Sequence, residues 1–225
     1  MQITEPSRPL LRRLHEWLSP TDSPRLADLI FVLAGRVPRK DYALELFRQQ
    51  LARKLLFSVD RFEIRRFSKM SLPVPLDLLK LAQDVPPPQR HYFVLFEGQE
   101  VQVNHVPPRP FGTLYEIEFL ARWLEANPKI HSLLIISDAT HLRRIRLCCR
   151  YLLAPSIEIA FLAAPDSPPD SSEAATSDRH PVLSEGEPKS AIHSAPAVLK
   201  ELLKVLLYWP ILRLQRHPSP PIQAR

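Results

Sequence analysis

The stretch that decides the fold is HSLLIISDATHLRRIRLCCRYLL, His131 to Leu153. Leu133 to Ile136 form an unbroken apolar run, the pattern of a strand buried on both faces of a parallel sheet. The run stops at Ser137 and Asp138. A helical pattern follows, with Leu142, Ile145, Cys149 and Leu152 on one face. A buried strand running straight into an amphipathic helix is half of a βαβ unit.

Working outward, the same alternation recurs. ADLIFVLAGR holds a strand from Leu29 to Leu33, closed by Gly35. Residues 39–52 are helical, and KLLFSV, 54–59, is a second strand. Beyond it, RFEIRRF extends a strand or opens a helix, and PLDLLKLAQDV is a short helix stopped by prolines. HYFVLFEGQEVQVNHV offers one or two strands around Gly98, with a hairpin as the two-strand form. Thr113 to Asn127 is a helix, and IEIAFLAA, 157–164, is the last strand. The predicted fold is α/β: a Rossmann-like three-layer sandwich with a mostly parallel central sheet of about five strands.

Four segments are expected. Residues 1–25 carry an amphipathic helix (6–18) and a lead-in; residues 26–163 are the α/β domain. Residues 164–195 are acidic and rich in Pro and Ser, so they read as a flexible linker. Residues 196–225 hold an apolar helix that docks on the domain, broken or kinked at Pro210, and a tail. Core docking is preferred there over peripheral membrane contact, because the apolar run is too short to span a bilayer.

Composition narrows the function. The 225 residues carry a net charge of +6, with only 4 Gly against 25 Pro. The basic balance suits an anionic partner. No dense Lys/Arg block or aromatic-basic stacking pattern points to specific nucleic-acid binding. The eight His are scattered without a ligand spacing, so no metal site is expected. Cys148 and Cys149, adjacent on a helix, read as reduced thiols. The charged N-terminal stretch lacks the apolar core of a signal peptide, and the expected location is cytoplasmic, with or without membrane association. There is no Walker A loop, no Gly-x-Ser-x-Gly elbow and no dinucleotide fingerprint, and no cofactor is indicated.

Open parallel sheets bind ligands beyond the carboxyl ends of their strands. That rule selects Gly35 and Arg39 after the first strand, Ser58 after the second, and Ser137, His141 and Arg144 after the central one. Thr113 and Glu116, where a helix begins, join them. Thr113-x-x-Glu116 equally fits a capping box. His141 and Arg144 stand three residues apart at a helix N-terminus, which attracts anions through its free N–H groups. On the helical wheel Arg143, Arg146 and Arg150 form a solvated stripe, whereas Arg144 flanks the buried face beside His141. The competing reading gives His141 a backbone partner and Arg144 a local one such as Asp138.

In order and spacing these residues resemble the YdcF-like family, which includes the SanA and ElyC envelope proteins. The matching positions are Asp28, the strand LIFVLAG with Gly35, Arg39, Ser58, Thr113, Glu116, Ser137, His141 and Arg144, within about residues 26–162. The family's glycine-rich turn is reduced here to Ala34-Gly35, and Val59 and Gly112 replace a Gly and an Asn common in it. The resemblance implies a Rossmann-like fold and a role in bacterial cell-envelope biogenesis, with no settled reaction. The expectation that results is a strand-end pocket for an anionic, phosphorylated or nucleotide-like small molecule. Arg39 and Arg144 neutralise the anion, and Gly35, Ser58, Thr113 and Ser137 contact it. His141 exchanges a proton, and Glu116 orients it or Arg144. The alternative is a non-catalytic scaffold that keeps the fold without the ligand loop.

Overall fold

Six segments rich in Leu, Ile, Val and Phe pair into one sheet. They are β1 (Ala27–Val32), β2 (Ala52–Asp60), β3 (His91–Glu97), β4 (Glu100–His105), β5 (Ser132–Ser137) and β6 (Glu158–Ala163). The computed structural model describes residues 13–14, 16–165 and 195–214. The helices are α1 (Val37–Arg48), two single turns α2 (Ile64–Phe67) and α3 (Leu78–Leu81), then α4 (Gly112–Glu125), α5 (Leu142–Leu152) and α6 (Ala195–Leu214). Residues 166–194, most of the segment read as a linker, lie outside the described residues, as do 1–12 and 215–225.

The strand order is β4-β3-β2-β1-β5-β6. β1 runs parallel to β2 and β5, and β5 parallel to β6, while β3 is antiparallel to both β2 and β4. The architecture is therefore α/β with a mixed, mostly parallel sheet of six strands rather than about five. The additional strand comes from a tight hairpin. Glu97 faces Glu100, and Gly98 takes up the left-handed conformation (φ +60°) that such a turn requires.

Strand alternation builds two cores. Ile30, Leu55, Phe57, Leu134 and Ile136 pack with residues of α1, α2 and α3 on one face. Leu29, Phe31, Leu56, Leu133 and Ile135 pack with α4, α5 and the inner side of α6 on the other. A continuous apolar strand needs exactly such cover on both sides.

Several boundaries differ from the sequence reading, each for a local reason. α1 stops at Arg48, because Gln50 turns left-handed (φ 60°) and sends Ala52 into β2. RFEIRRF becomes the single turn α2 once β2 has ended at Asp60. α6 runs through Pro210 to Leu214 rather than breaking there. The carbonyl that Pro210 leaves without a donor belongs to Leu206, on the exposed side, where water can satisfy it. The stripe of Arg143 and Arg146 is tied down by the lead-in: Arg143 lies over the Trp17 ring, and Arg146 donates to Asp22 at 2.7 Å. The same lead-in covers the outer edge of β6, where Asp22 N–H donates to the Phe161 carbonyl at 2.8 Å. At the far end of the sheet from the strand-end rim, Asp28 accepts the N–H groups of His131 and Ser132, which joins β1 to β5.

Candidate functional site

Because β1 is flanked by β2 and β5, both parallel to it, the chain leaves β1 toward one side and returns on the other. The gap beyond the ends of β1 and β5 is the switch point at which such sheets hold ligands. Here the protein's own side chains fill it. Arg39, on α1, is 4% exposed and donates Nε and Nη2 to the two carboxylate oxygens of Asp138, at 2.8 and 2.5 Å. Its Nη1 donates to the Ala34 carbonyl at 2.6 Å. Burial raises the Asp138 carboxyl, but Arg39 outweighs it and holds the group below its usual value.

This guanidinium explains Gly35. The residue has φ +139°, and a Cβ there would stand 2.6 Å from Arg39 Nη1. The close approach that demands glycine is thus made by Arg39.

A second ion-pair system adjoins the first. His141 sits in the 3-10 turn Ala139–His141 that precedes α5, one step earlier than a plain helix start. Its Nδ1 accepts from Arg39 Nη2 at 3.1 Å, which leaves Nε2 facing Glu201 Oε1 at 3.4 Å. Arg144 donates Nη1 to Glu201 Oε2 and Nη2 to Thr113 Oγ1, the latter at 3.2 Å. Lys204 adds a third contact to Glu201 at 2.7 Å. Burial alone would raise the Glu201 carboxyl, yet its bonds to His141 and Lys204 and the charge of Arg144 hold it down at about 2. The partner of Arg144 is thus Glu201 from the C-terminal helix, while Asp138 serves Arg39.

Thr113 and Glu116 do not form a capping box. α4 starts at Gly112 with Phe111 in the left-handed region (φ 61°) at its cap, and Thr113 bonds Arg144 instead. Glu116 turns inward and accepts the Ala34 N–H at 2.7 Å. Ser58 is also hydrogen-bonded to Glu116, and burial is the main cause that raises the Glu116 carboxyl above its ordinary value. Ser58 Oγ lies 2.9 Å from His91 Nε2. A single Ser58 O–H serves one acceptor at a time. When it donates to Glu116, a neutral His91 donates its Nε2–H to Ser58. Burial drives the His91 imidazole down to about 4, which favours that neutral form.

Between the ends of β1 and β2, the start of β3 and the first turn of α4 lies a cavity of about 670 Å3. Arg61, Arg90, Arg144 and Lys204 line it, with Asp60 and Glu116 as its acids and His91 in its wall. Of the residues singled out from sequence, Gly35, Thr113, Glu116 and Arg144 also line it. Arg39, Ser58 and His141 stand behind this wall in the connected hydrogen-bond network. Ser137 is 1% exposed, and among the described residues its hydroxyl has no hydrogen-bond partner. Beneath Gly35, Glu63 accepts the Gly35 N–H and pairs with Lys40. Burial pushes the Glu63 carboxyl up to about 7 despite that lysine.

His91 and Glu201 were not anticipated from sequence. His91 reaches the rim only because β3 is antiparallel, which puts its first residue opposite Asp60 at the end of β2. Glu201 did carry a signal: it is the one acidic residue in APAVLKELLKVLLYWPILRL. Among the described residues no three His, Cys, Asp or Glu side chains gather where they could hold a metal ion. Comparisons with protein families, curated proteins and solved structures give no match to this chain.

Proposed function

We propose that this chain is a YdcF-like α/β protein whose strand-end cavity binds an anionic small molecule, phosphorylated or nucleotide-like, in bacterial cell-envelope biogenesis. The observation that carries the reading is the convergence of Arg61, Arg90, Arg144 and Lys204 on one cavity lined by Asp60 and Glu116, with Arg144 and Lys204 held by Glu201 and Arg61 and Arg90 facing the cavity beside them. A cavity of about 670 Å3 suits a ligand of nucleotide size. The order of Gly35, Arg39, Ser58, Thr113, Glu116, Ser137, His141 and Arg144 along the chain supports the family. In this reading Arg61 and Arg90 meet the anion, and Arg144 and Lys204, held by Glu201, stand behind them. The Glu116–Ser58–His91 chain can pass a proton to or from the ligand side.

One observation favours the alternative, a non-catalytic scaffold. Both arginines expected to neutralise a ligand already have a carboxylate of the protein, Asp138 for Arg39 and Glu201 for Arg144.

A thermal-shift titration with nucleotides, polyprenyl-phosphate analogues and inorganic phosphate separates the two. A ligand at 100 times its Kd adds about 2.7 kcal/mol of stability. Arg61→Ala, at an exposed position, should leave the unliganded melt within about 0.5 kcal/mol of wild type and reduce the ligand-induced shift. Absence of any anion-dependent shift, or a shift identical in Arg61→Ala, sinks the cavity reading.

A further inference from the structure

α6 is amphipathic in the reverse of the usual sense. Its inner side presents Glu201, Tyr208 and Leu212, all nearly buried. Its outer side presents Leu199, Leu203, Leu206 and Leu207, which are 67%, 58%, 70% and 52% exposed. The spacing i, i+4, i+7, i+8 puts these leucines on one continuous face. The inward turn of the helix is set by the ion pair of Glu201 with Arg144 and by the edge-to-face contact of Tyr208 with Phe111. The leucines are thus outside because the carboxylate is inside.

This apolar face continues to the cavity. Leu207 and Lys204 line the cavity wall, as do the exposed Phe111 and Phe62. Cations outnumber acids around it: the cavity lining holds Asp60 and the buried Glu116 as its acids. Lys200 is exposed beside the leucines, Lys204 is partly exposed, and Arg61 and Arg90 stand at the cavity. The acid described on α6 is the inward Glu201. Four aligned leucines edged by cations are the features of an interfacial helix on an anionic bilayer. A second copy is a poorer occupant. Two-fold pairing of this face would bring together the two copies of Lys200 with no acid among the described exposed residues of the helix. No helix among the described residues is long and apolar enough to cross a membrane, so the contact is peripheral.

We infer that the outer face of α6 docks the protein on an anionic lipid surface, with the strand-end cavity opening beside the headgroups. The leucines enter the acyl boundary, Lys200 meets the phosphates, and the inner side of α6, with Lys204 on Glu201, stays on the domain. The docking face and the cavity are separable, since soluble anions can test the cavity in the absence of lipid.

The test is flotation of the full chain with vesicles of phosphatidylglycerol and phosphatidylcholine, and with phosphatidylcholine alone. Binding is expected to the anionic vesicles, with a fall as salt is raised. Leu203→Ser with Leu206→Ser should lower the partition coefficient by about tenfold or more, with far-ultraviolet circular dichroism and the melt unchanged. Lys200→Glu, which leaves every leucine in place, should weaken binding to anionic vesicles and provides a second variant if the double one folds poorly. The inference is overturned if wild type does not float with anionic vesicles, or if the variants bind as wild type does. It is equally overturned if light scattering finds a dimer that the leucine substitutions dissociate, because a second copy then covers the face. Loss of flotation with retained anion shifts would refute docking alone; the converse would refute the cavity reading alone.

Discussion

Replacing Glu201 with Gln tests the contact on which the position of α6 depends. The side chain is 7% exposed and meets Arg144, Lys204 and His141. Gln keeps the shape and one carbonyl acceptor but removes the charge. The folded protein holds this carboxyl at about 2 against an ordinary 4.5. At about 1.4 kcal/mol per pH unit, that difference corresponds to about 3 kcal/mol of stability. Because the folded value lies below the unfolded one, the contribution is complete above about pH 5 and disappears as pH falls toward 2. The figure agrees with the roughly 3–5 kcal/mol lost when one partner of a buried ion pair is removed. Urea unfolding of wild type and Glu201→Gln should therefore differ by about 3 kcal/mol at pH 7 and converge as pH drops below about 4.5. Amide exchange along residues 201–212 should speed up first, since α6 can leave the domain before the sheet opens. A difference under about 1 kcal/mol at pH 7, or one that does not change with pH, refutes the reasoning.

Gly35→Ala forces a side chain into φ +139° and places its Cβ 2.6 Å from a guanidinium pinned by Asp138 and the Ala34 carbonyl. A loss of about 2–4 kcal/mol is expected in thermal or urea unfolding. Gly98→Ala, also at positive φ but with nothing within 4 Å of its Cβ, should lose only about 1 kcal/mol; equal losses would remove Arg39 from the account. For His91, NMR titration should find the ring neutral down to about 4, and substitution of Ser58 should disturb its Nε2 signal. The folded value lies below the unfolded one, so stability should fall as pH drops from about 6.5 toward 4, by up to about 3 kcal/mol. A ring that titrates near 6.5 would mean that His91 is solvated.

How much was legible differs between scaffold and site. β1, β2 and β5 were readable as buried strands because parallel strands covered on both faces cannot alternate. α4 and α5 were readable because each shows one apolar stripe. Arg144 could be separated from Arg143 and Arg146 on the helical wheel alone. Its partner could not, because Glu201 is 57 residues further along the chain. Thr113-x-x-Glu116 misled for a related reason. Local spacing favours a cap, but the partly buried Ala34 N–H and the Arg144 guanidinium compete for those two side chains, and tertiary bonds in a low-dielectric interior win.

The sequence by itself determined the alternation of strands and helices, the rim on which polar residues gather, and the presence of an apolar C-terminal helix. These follow from periodicity and steric preference, which act over a few residues. Tertiary structure alone decided that β3 runs antiparallel and brings His91 to the rim, that Arg39 and Arg144 are matched by Asp138 and Glu201, and that α6 turns its leucines outward. Such choices depend on which charges lose their water together. An apolar face can be left exposed when the same rotation buries a carboxylate between Arg144 and Lys204.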